Sequence, residues 1–331
     1  MPDSQADGHS MCDPECLVVM YHYVRPPAAP GESALVAMDP DAFDRQLERL
    51  AASREIISPD RYLDFLAGCG GLPERCALLT FDDGVIDHYR HVFPMLQRRG
   101  LSGAFFVQTD PVENQRMEAT HMNHMLLGGL EIDELMAEFD AALARRAPGR
   151  TLSDFVLRDK AMSLYHYESE NRALYKYAVA FGLPFNLRDE ILTEMFRRHW
   201  GDPGDWVRRF YLSWDQLAEM QAAGMHVGGH SHGHDVYPRL PRDRLAQDTR
   251  RCWDILTARL GRRRRAFAYP FGRYNLESIE AVRVAGFAAA FTTHDGLNAG
   301  RVPRFEIART DCVALDAALA GTVNGRSHAH A

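Results

Sequence analysis

The sequence predicts an α/β protein with a parallel sheet that is either open or closed into a barrel. Short apolar runs typical of buried strands alternate with segments whose apolar residues recur at helical spacing. Chemically reactive side chains directly follow several of these runs, at the strand ends where α/β folds carry function. The runs that we interpret as strands are residues 17–21, 76–81, 103–107, 225–228, 266–269 and 288–292.

The segments between the predicted strands have the pattern of amphipathic helices. Residues 41–52 follow an Asp-Pro pair, which is a helix start signal, and place Phe43, Leu47 and Leu50 on one face. A second helix is expected to end at Gly100. The later helices of this alternation are expected at residues 213–223, 245–260 and 276–285.

The middle of the chain interrupts the alternation. Residues 113–210 are rich in helix formers and have few strand signals, so we predict a helical insertion. Its helices are expected at residues 131–146, 152–165, 171–181 and 188–199. The predicted organisation is a disordered leader, an α/β unit in two parts around the insertion, and a frayed tail, at residues 1–16, 17–112 with 211–315, and 316–331.

Composition narrows the class of protein. The 331 residues are 46% hydrophobic and 25% charged, as in a globular protein, and the net charge of −7 gives no reason to expect a nucleic-acid partner. The six cysteines are scattered without the spacing of a structural zinc site. The first residues lack a basic segment and a long apolar run, and no stretch approaches the roughly 20 apolar residues of a membrane span. We therefore expect a cytoplasmic protein with free thiols.

Two adjacent carboxylates follow the second predicted strand. Asp82 and Asp83 would point to opposite faces within a strand, but Gly84 permits a sharp turn that brings both into one site. Converging carboxylates repel unless one binds a cation and the other shares a proton. A structural Asp-Gly turn is the alternative interpretation of these residues taken alone.

Three histidines follow the strand at residues 225–228. They are His230, His232 and His234, and neutral imidazole is a good ligand for zinc and similar ions. The spacing does not choose among them, because His230 and His234 share a face in a helix and all three share a face in an extended segment. The alternative is a solvated histidine-rich loop.

Two imidazoles and one carboxylate, with an open position for water, form a set that can lower the pKa of that water and polarise a carbonyl. The second carboxylate is then free to act as a general base. This combination favours a hydrolase.

Three motifs occur in an order that resembles the polysaccharide deacetylase family (carbohydrate esterase family 4, the NodB-homology domain). Residues 80–84, Thr-Phe-Asp-Asp-Gly, resemble its first motif, and residues 230–234, His-Ser-His-Gly-His, resemble its second. Residues 267–272 contain Tyr-Pro-Phe-Gly, which is similar to the third motif in a Tyr-Pro-x-Gly variant. Residues 20–24 are similar to the first strand of many members. The resemblance implies a distorted (β/α) barrel with an inserted helical subdomain.

The resemblance also implies a role for each matching residue. Asp82 corresponds to the general base, and Asp83, His230 and His234 correspond to the metal ligands, which leaves His232 as a non-ligand. The backbone N–H of Phe271 corresponds to the oxyanion donor. The residues that shape the loop around it are Tyr269, Pro270 and Gly272.

The sequence departs from the family pattern at two places. Many members have an arginine that tunes the base just before the third motif, where this chain has Ala268. Many also have a late Leu-x-His motif that supplies a general acid, and no clear equivalent occurs here. His294, which follows a strand, and His22 are the candidates for that acid. Arg304 lies in a segment that resembles the variant lineage and is a candidate substrate contact.

The function implied is a divalent-metal-dependent hydrolase, with zinc as the expected cofactor, that removes an acetyl or formyl group from an amino sugar. The expected partner is an N-acylated amino-sugar substrate, free, nucleotide-linked, lipid-linked or oligomeric, in a polysaccharide or glycolipid pathway. Two alternatives stay open. One is a hydrolase of a non-sugar amide on the same scaffold, and the other is a catalytically impaired carbohydrate-binding module, which the two departures favour.

Overall fold

A computed structural model describes residues 13–27 and 35–320 of the chain. The predicted leader lies largely outside the described residues, as does most of the predicted tail. The last residues assigned to the leader are already part of the first strand, which begins at Glu15, and the tail begins within a short helix at Leu315–Leu319.

The centre of the fold is a curled sheet of nine strands. Seven of them follow the order β7-β6-β5-β4-β3-β1-β8, while β2 pairs with β3 and β9 pairs with β1; every pair is parallel except β1 with β8. The sheet and its surrounding helices form the predicted distorted (β/α) barrel, which is confirmed. The strands are β1 (Glu15–Tyr21), β2 (Glu55–Ile56), β3 (Arg75–Phe81), β4 (Ala104–Val107), β5 (His226–Gly229), β6 (Ala266–Ala268), β7 (Ala289–Phe291), β8 (Asn298–Ala299) and β9 (Thr310–Asp311).

The long strands are buried on both faces. In β1, Leu17 and Val19 belong to the largest apolar cluster, whereas Cys16 and Val18 belong to a second cluster on the other face. Side chains alternate between faces along a strand, so a parallel strand covered on both sides shows a continuous apolar run in sequence. This is why the strands of the α/β unit could be predicted.

Helices pack around this sheet. The first begins after Asp39, whose side chain accepts hydrogen bonds from the N–H groups of Asp41 and Ala42. The α-helices outside residues 113–210 are α1 (Pro40–Ser53), α2 (Pro59–Ala67), α3 (Phe93–Arg98), α4 (Thr109–Asn114), α11 (Trp214–Ala222), α12 (Arg242–Leu260), α13 (Leu276–Ala285) and α14 (Leu315–Leu319).

The insertion is helical and has its own apolar core, formed by residues such as Phe139, Ile191 and Phe196. One predicted helix, 152–165, is instead a short 3-10 turn followed by a separate helix. The helices of the insertion are α5 (Ala119–Gly129), α6 (Ile132–Arg146), α7 (Arg158–Leu164), α8 (Glu170–Tyr177), α9 (Phe185–Trp200) and α10 (Pro203–Phe210).

The insertion returns to the barrel beside the Asp-Asp-Gly turn. Tyr211 forms an antiparallel bridge with Val85, and Leu212 donates its N–H to the carbonyl of Gly84 at 3.0 Å. The helical segment is therefore tied to the loop that carries the two carboxylates. Among the described residues, no helix combines the length and the apolar character that crossing a membrane requires.

Candidate active site

Three loops at the carboxyl ends of neighbouring strands meet at one edge of the barrel. Asp82 and Asp83 follow β3, His230 follows β5, and Tyr269 follows β6. Because β3, β4, β5 and β6 are adjacent in the sheet, these loops lie next to one another. This is the edge of an α/β barrel at which active sites are built.

The turn after β3 directs both carboxylates into the protein. Asp83 has φ 78° and Gly84 has φ 65°, so the chain bends in the left-handed region immediately after Asp82. A Cβ at Gly84 would lie 3.0 Å from the side chain of Val107, which leaves little room for another residue. Asp82 is 2% exposed and Asp83 is 4% exposed, as expected for groups with functional partners rather than for a surface turn.

Asp83 lies beside two of the three histidines. Its Oδ1 is 3.5 Å from Nε2 of His230 and 3.5 Å from Nε2 of His234, and the three donor atoms lie within 4.8 Å of one another. Ligand atoms about 2.1 Å from a tetrahedral zinc ion lie about 3.4 Å apart, so this set fits such an ion. Burial favours the neutral, ligating form of His234 by lowering its pKa. Nδ1 of His230 lies 2.8 Å from the carbonyl of Ala268, which leaves its Nε2 available for a metal.

The turn between these histidines is held by the serine of the second motif. The Oγ of Ser231 accepts a hydrogen bond from the N–H of His234 at 2.8 Å, and both residues have positive φ, 68° and 56°. The carboxylate of Asp248 accepts hydrogen bonds from the N–H groups of His232 and Gly233. His232 points away from Asp83, since its Nδ1 lies 2.9 Å from Thr109 and its Nε2 lies 3.3 Å from Asp110.

Asp82 is paired with a buried arginine. Both terminal nitrogens of Arg309 donate to the two carboxylate oxygens of Asp82 at 2.7 Å, while its Nε donates to the carbonyl of Thr292 at 2.7 Å. Burial alone would raise the pKa of Asp82, but the Arg309 guanidinium and the nearby His230 hold that pKa below its usual value. Asp82 is therefore an ionised carboxylate at neutral pH, which is the state that a general base requires.

The Tyr-Pro-Phe-Gly loop lies beside the same histidines. Phe271 has φ 57°, and its ring centroid lies 4.8 Å from that of His234. The hydroxyl of Tyr269 donates to the carbonyl of Phe305 at 3.1 Å. A Cβ at Gly272 would lie 1.9 Å from Oγ1 of Thr293, so only glycine fits at this position. The loop thus places the ring of Phe271 next to His234.

The site agrees with the comparison of this sequence with protein families. A family model described as polysaccharide deacetylase matches residues 70–133 and 191–290, which contain all three motifs. The chain belongs to the polysaccharide deacetylase family. The unmatched stretch between the two segments lies inside the helical insertion.

Solved structures of deacetylases have the same fold. The deacetylase PplD of Streptococcus pyogenes superposes with a TM-score of 0.58 at 17% identity, over 94% of this chain and 100% of that one. IcaB from Ammonifex degensii superposes with a TM-score of 0.57 at 22% identity, over 93% of this chain and 97% of that one. No curated protein matches this sequence significantly. The fold of this deacetylase is therefore shared along nearly its whole length.

The structure places an arginine beside Asp82, although the third motif lacks one. Ala268 has no charged group, and Arg309, in the segment leading into β9, pairs with Asp82. The candidate Arg304 is exposed instead, and its backbone carbonyl accepts a hydrogen bond from Ala290. Arg309 was missed because its contact with Asp82 joins residues that are far apart in sequence.

The two candidate acids occupy different positions. Nε2 of His22 lies 4.0 Å from Oδ2 of Asp82, and its side chain is 40% exposed. The ring of His294 packs near that of Tyr274, with centroids 5.6 Å apart, and its carbonyl accepts the N–H of Arg309. His22 therefore lies next to Asp82, whereas His294 contacts the ring of Tyr274 and the backbone of Arg309.

The helical insertion contributes buried polar residues that the sequence did not reveal as part of the site. Nε2 of His121 lies 3.3 Å from Oδ2 of Asp83, and Oε2 of Glu118 lies 3.7 Å from Nδ1 of His234. The His-x-x-His spacing of His121 and His124, near the start of the insertion, is a sequence feature that indicates polar residues of this kind.

Proposed function

We propose that this deacetylase is a divalent-metal-dependent hydrolase that removes an acetyl group from an amino sugar of a polysaccharide or glycolipid. The observation that carries the proposal is the buried Asp83, His230 and His234 set beside an ionised Asp82. Zinc is the metal that we propose, because two imidazoles and a carboxylate are a common zinc ligand set. A cytoplasmic location, expected from the sequence, is part of this proposal.

The chain's own residues supply most of the chemistry. A bound divalent ion supplies Lewis-acid polarisation of the acyl carbonyl and lowers the pKa of water. Asp82 accepts a proton from the attacking water, while Arg309 holds the carboxylate in position through both of its oxygens. The backbone N–H of Phe271 stabilises the oxyanion of the tetrahedral intermediate. A histidine then donates a proton to the leaving amine, and acetate and the free amino sugar are released.

Acetate as the product agrees with the structure of PplD, which was determined in complex with acetate. The Asp82–Arg309 pair also bears on the alternative of an impaired carbohydrate-binding module. That alternative relied on the absence of an arginine near the third motif and of a late histidine motif, and Arg309 supplies the arginine from another segment. The geometry thus favours an active enzyme.

Hydrolysis is tested by measuring acetate and formate released from a panel of N-acylated amino sugars, oligosaccharides and non-sugar amides. We expect acetate release from amino-sugar substrates, loss of activity when a chelator removes the metal, and recovery when Zn²⁺ is restored. Within this assay, His234→Gln removes a ligand and should lower activity at least 100-fold together with bound zinc.

His232→Gln is the matched control, because it changes a histidine of the same loop that points away from Asp83. We expect it to retain zinc and most of the activity. Turnover of non-sugar amides alone would instead support the other hydrolase. Equal zinc content in the two variants would contradict the ligand assignment.

The position of His22 predicts that it donates the proton to the leaving amine. His22→Gln should lower kcat by about 10²-fold and remove the basic limb of the pH–rate profile, because the proton donor is lost. His294→Gln should change kcat by less than about threefold, because the ring of His294 packs near Tyr274, whereas His22 lies beside Asp82. Both variants are compared by initial rates across pH. A loss of the basic limb in His294→Gln would assign the acid to His294 instead.

A further inference from the structure

We propose that the helical insertion is part of the metal centre, with Glu118 and His121 as positioning residues that hold the ligands His234 and Asp83. This inference rests on the proposed metal site. The insertion thereby has a direct role in holding the metal ligands.

The hydrogen bonds around His121 determine which of its nitrogens carries the proton. The hydroxyl of Tyr211 accepts the backbone N–H of Glu118 at 3.0 Å and lies 2.6 Å from Nδ1 of His121. Since the hydroxyl already accepts one hydrogen bond, we assign its own proton to a hydrogen bond with Nδ1, which then acts as the acceptor. A neutral imidazole that accepts at Nδ1 carries its hydrogen at Nε2.

Nε2 of His121 faces a single group. It lies 3.3 Å from Oδ2 of Asp83, which is an ion-pair distance, and within the described part of the chain it forms no hydrogen bond of good geometry. The side chain of His121 is fully buried, so water does not compete for this nitrogen. A protonated Nε2 has no lone pair to offer a metal. His121 therefore positions the carboxylate and is not a fourth ligand.

Asp83 is held through both of its oxygens. Oδ1, which faces the two ligand histidines, accepts a hydrogen bond from Nε2 of Gln108 at 2.9 Å. Oδ2 faces His121 from the insertion. The barrel thus fixes one oxygen and the insertion fixes the other, which restrains the rotation of the carboxylate.

Glu118 lies beside His234, as His121 lies beside Asp83. Its Oε2 lies 3.7 Å from Nδ1 of His234, and both side chains are buried. The carboxylate of Glu118 also accepts the N–H of Thr120 at the start of α5, which fixes it in place. A carboxylate beside Nδ1 favours the tautomer with hydrogen there, which directs the lone pair of Nε2 toward a metal.

The third ligand is oriented differently. Nδ1 of His230 lies 2.8 Å from the backbone carbonyl of Ala268 in β6. The barrel therefore orients one ligand by itself, and it depends on the insertion for the other two. Removing an outer partner of a ligand commonly lowers metal affinity by 10- to 100-fold, roughly.

The experiment measures Zn²⁺ affinity by competition with a chromophoric chelator, and records visible spectra of the Co²⁺-loaded protein. We expect Glu118→Gln and Tyr211→Phe to weaken Zn²⁺ binding by about 10- to 100-fold. His121→Leu should have a similar effect, while His121→Gln, which keeps a donor near the position of Nε2, should restore much of the affinity. The Co²⁺ spectra should change in Glu118→Gln and His121→Leu, since the ligand geometry relaxes.

Tyr175→Phe is the matched control. Tyr175 is buried in the same insertion, and its hydroxyl donates to Oδ1 of Asn123 at 2.8 Å. Loss of the Tyr175 hydroxyl should lower the thermal stability of the metal-free protein about as much as Tyr211→Phe does. The Zn²⁺ affinity of Tyr175→Phe should be unchanged. Tyr211→Phe removes only a hydroxyl group. It therefore still tests the inference if the larger substitutions impair folding.

Wild-type protein without stoichiometric Zn²⁺ would overturn the proposed metal-dependent function, and this inference with it. Wild-type protein that binds Zn²⁺, together with a Tyr211→Phe or Glu118→Gln variant that binds it within twofold of the same affinity, would overturn this inference alone. Equal weakening in Tyr175→Phe would also overturn it, because the effect would then be one of general stability.

Discussion

Asp82→Asn is expected to lower kcat for deacetylation by about 10²- to 10⁴-fold while leaving the zinc content unchanged. The amide keeps the shape of the side chain but cannot accept the proton of the attacking water. Asp82 is not among the three residues whose donor atoms converge, so a metal keeps all of its proposed ligands. Initial rates of acetate release and metal analysis of the purified variant measure the two effects.

Asp83→Asn serves as the comparison for this substitution. It changes the neighbouring carboxylate, whose Oδ1 faces both ligand histidines, and should lower zinc content and activity together. If Asp82→Asn lost zinc and Asp83→Asn kept it, the roles assigned to the two aspartates would be reversed. Normal activity in Asp82→Asn would exclude it as the general base.

Arg309→Met is expected to destabilise the fold by about 3–5 kcal/mol at neutral pH, because it leaves the carboxylate of Asp82 buried and unpaired. In the wild-type protein the pKa of Asp82 is lowered, so the pair stabilises the fold above the usual pKa of aspartate. This contribution is lost as the pH falls through the lowered pKa. Without Arg309, burial raises that pKa, and the destabilisation should diminish as the pH falls through the new value.

The same substitution should move the acid limb of kcat/KM to higher pH, since Asp82 must be ionised to act as a base. Denaturant unfolding at several pH values and a pH–rate profile measure these effects. Arg304→Met is the matched control, because Arg304 is an exposed arginine of the same segment, and its stability should change by less than about 0.5 kcal/mol. The double variant Asp82→Asn with Arg309→Met should be less destabilised than the sum of the single variants. Strict additivity would show that the pair is not coupled.

The convergence of Asp83, His230 and His234 could be predicted from the sequence because it is encoded locally. Asp83 follows one strand, and His230 and His234 follow another, so the alternation of strands and helices already places them at the same edge of the barrel. The choice between His232 and His234 came from the resemblance alone. In the structure that choice corresponds to the turn held by Ser231, which directs His234 inward.

The partners of these residues could not be predicted in the same way. Arg309 contacts Asp82 only because the chain returns to β1 after β7 and β8, and no local pattern marks this contact. Glu118 and His121 reach the site because the insertion ends in a bridge next to the Asp-Asp-Gly turn. Short strands such as β8 and β9, with two residues each, carry too few side chains for a periodic signal.

Non-glycine residues with positive φ are concentrated in the loops of the site. Of the five non-glycine residues with positive φ in the described structure, four lie in the three motifs: Asp83, Ser231, His234 and Phe271. Such conformations are unfavourable for residues with a Cβ, at about 1–2 kcal/mol each. Selection for thermal stability alone would therefore favour glycine at these four positions, and each such replacement would remove a side chain that the site uses. A descendant that has lost its activity should thus be recognisable by glycines in these loops, and a stability screen of this enzyme needs an activity assay beside it.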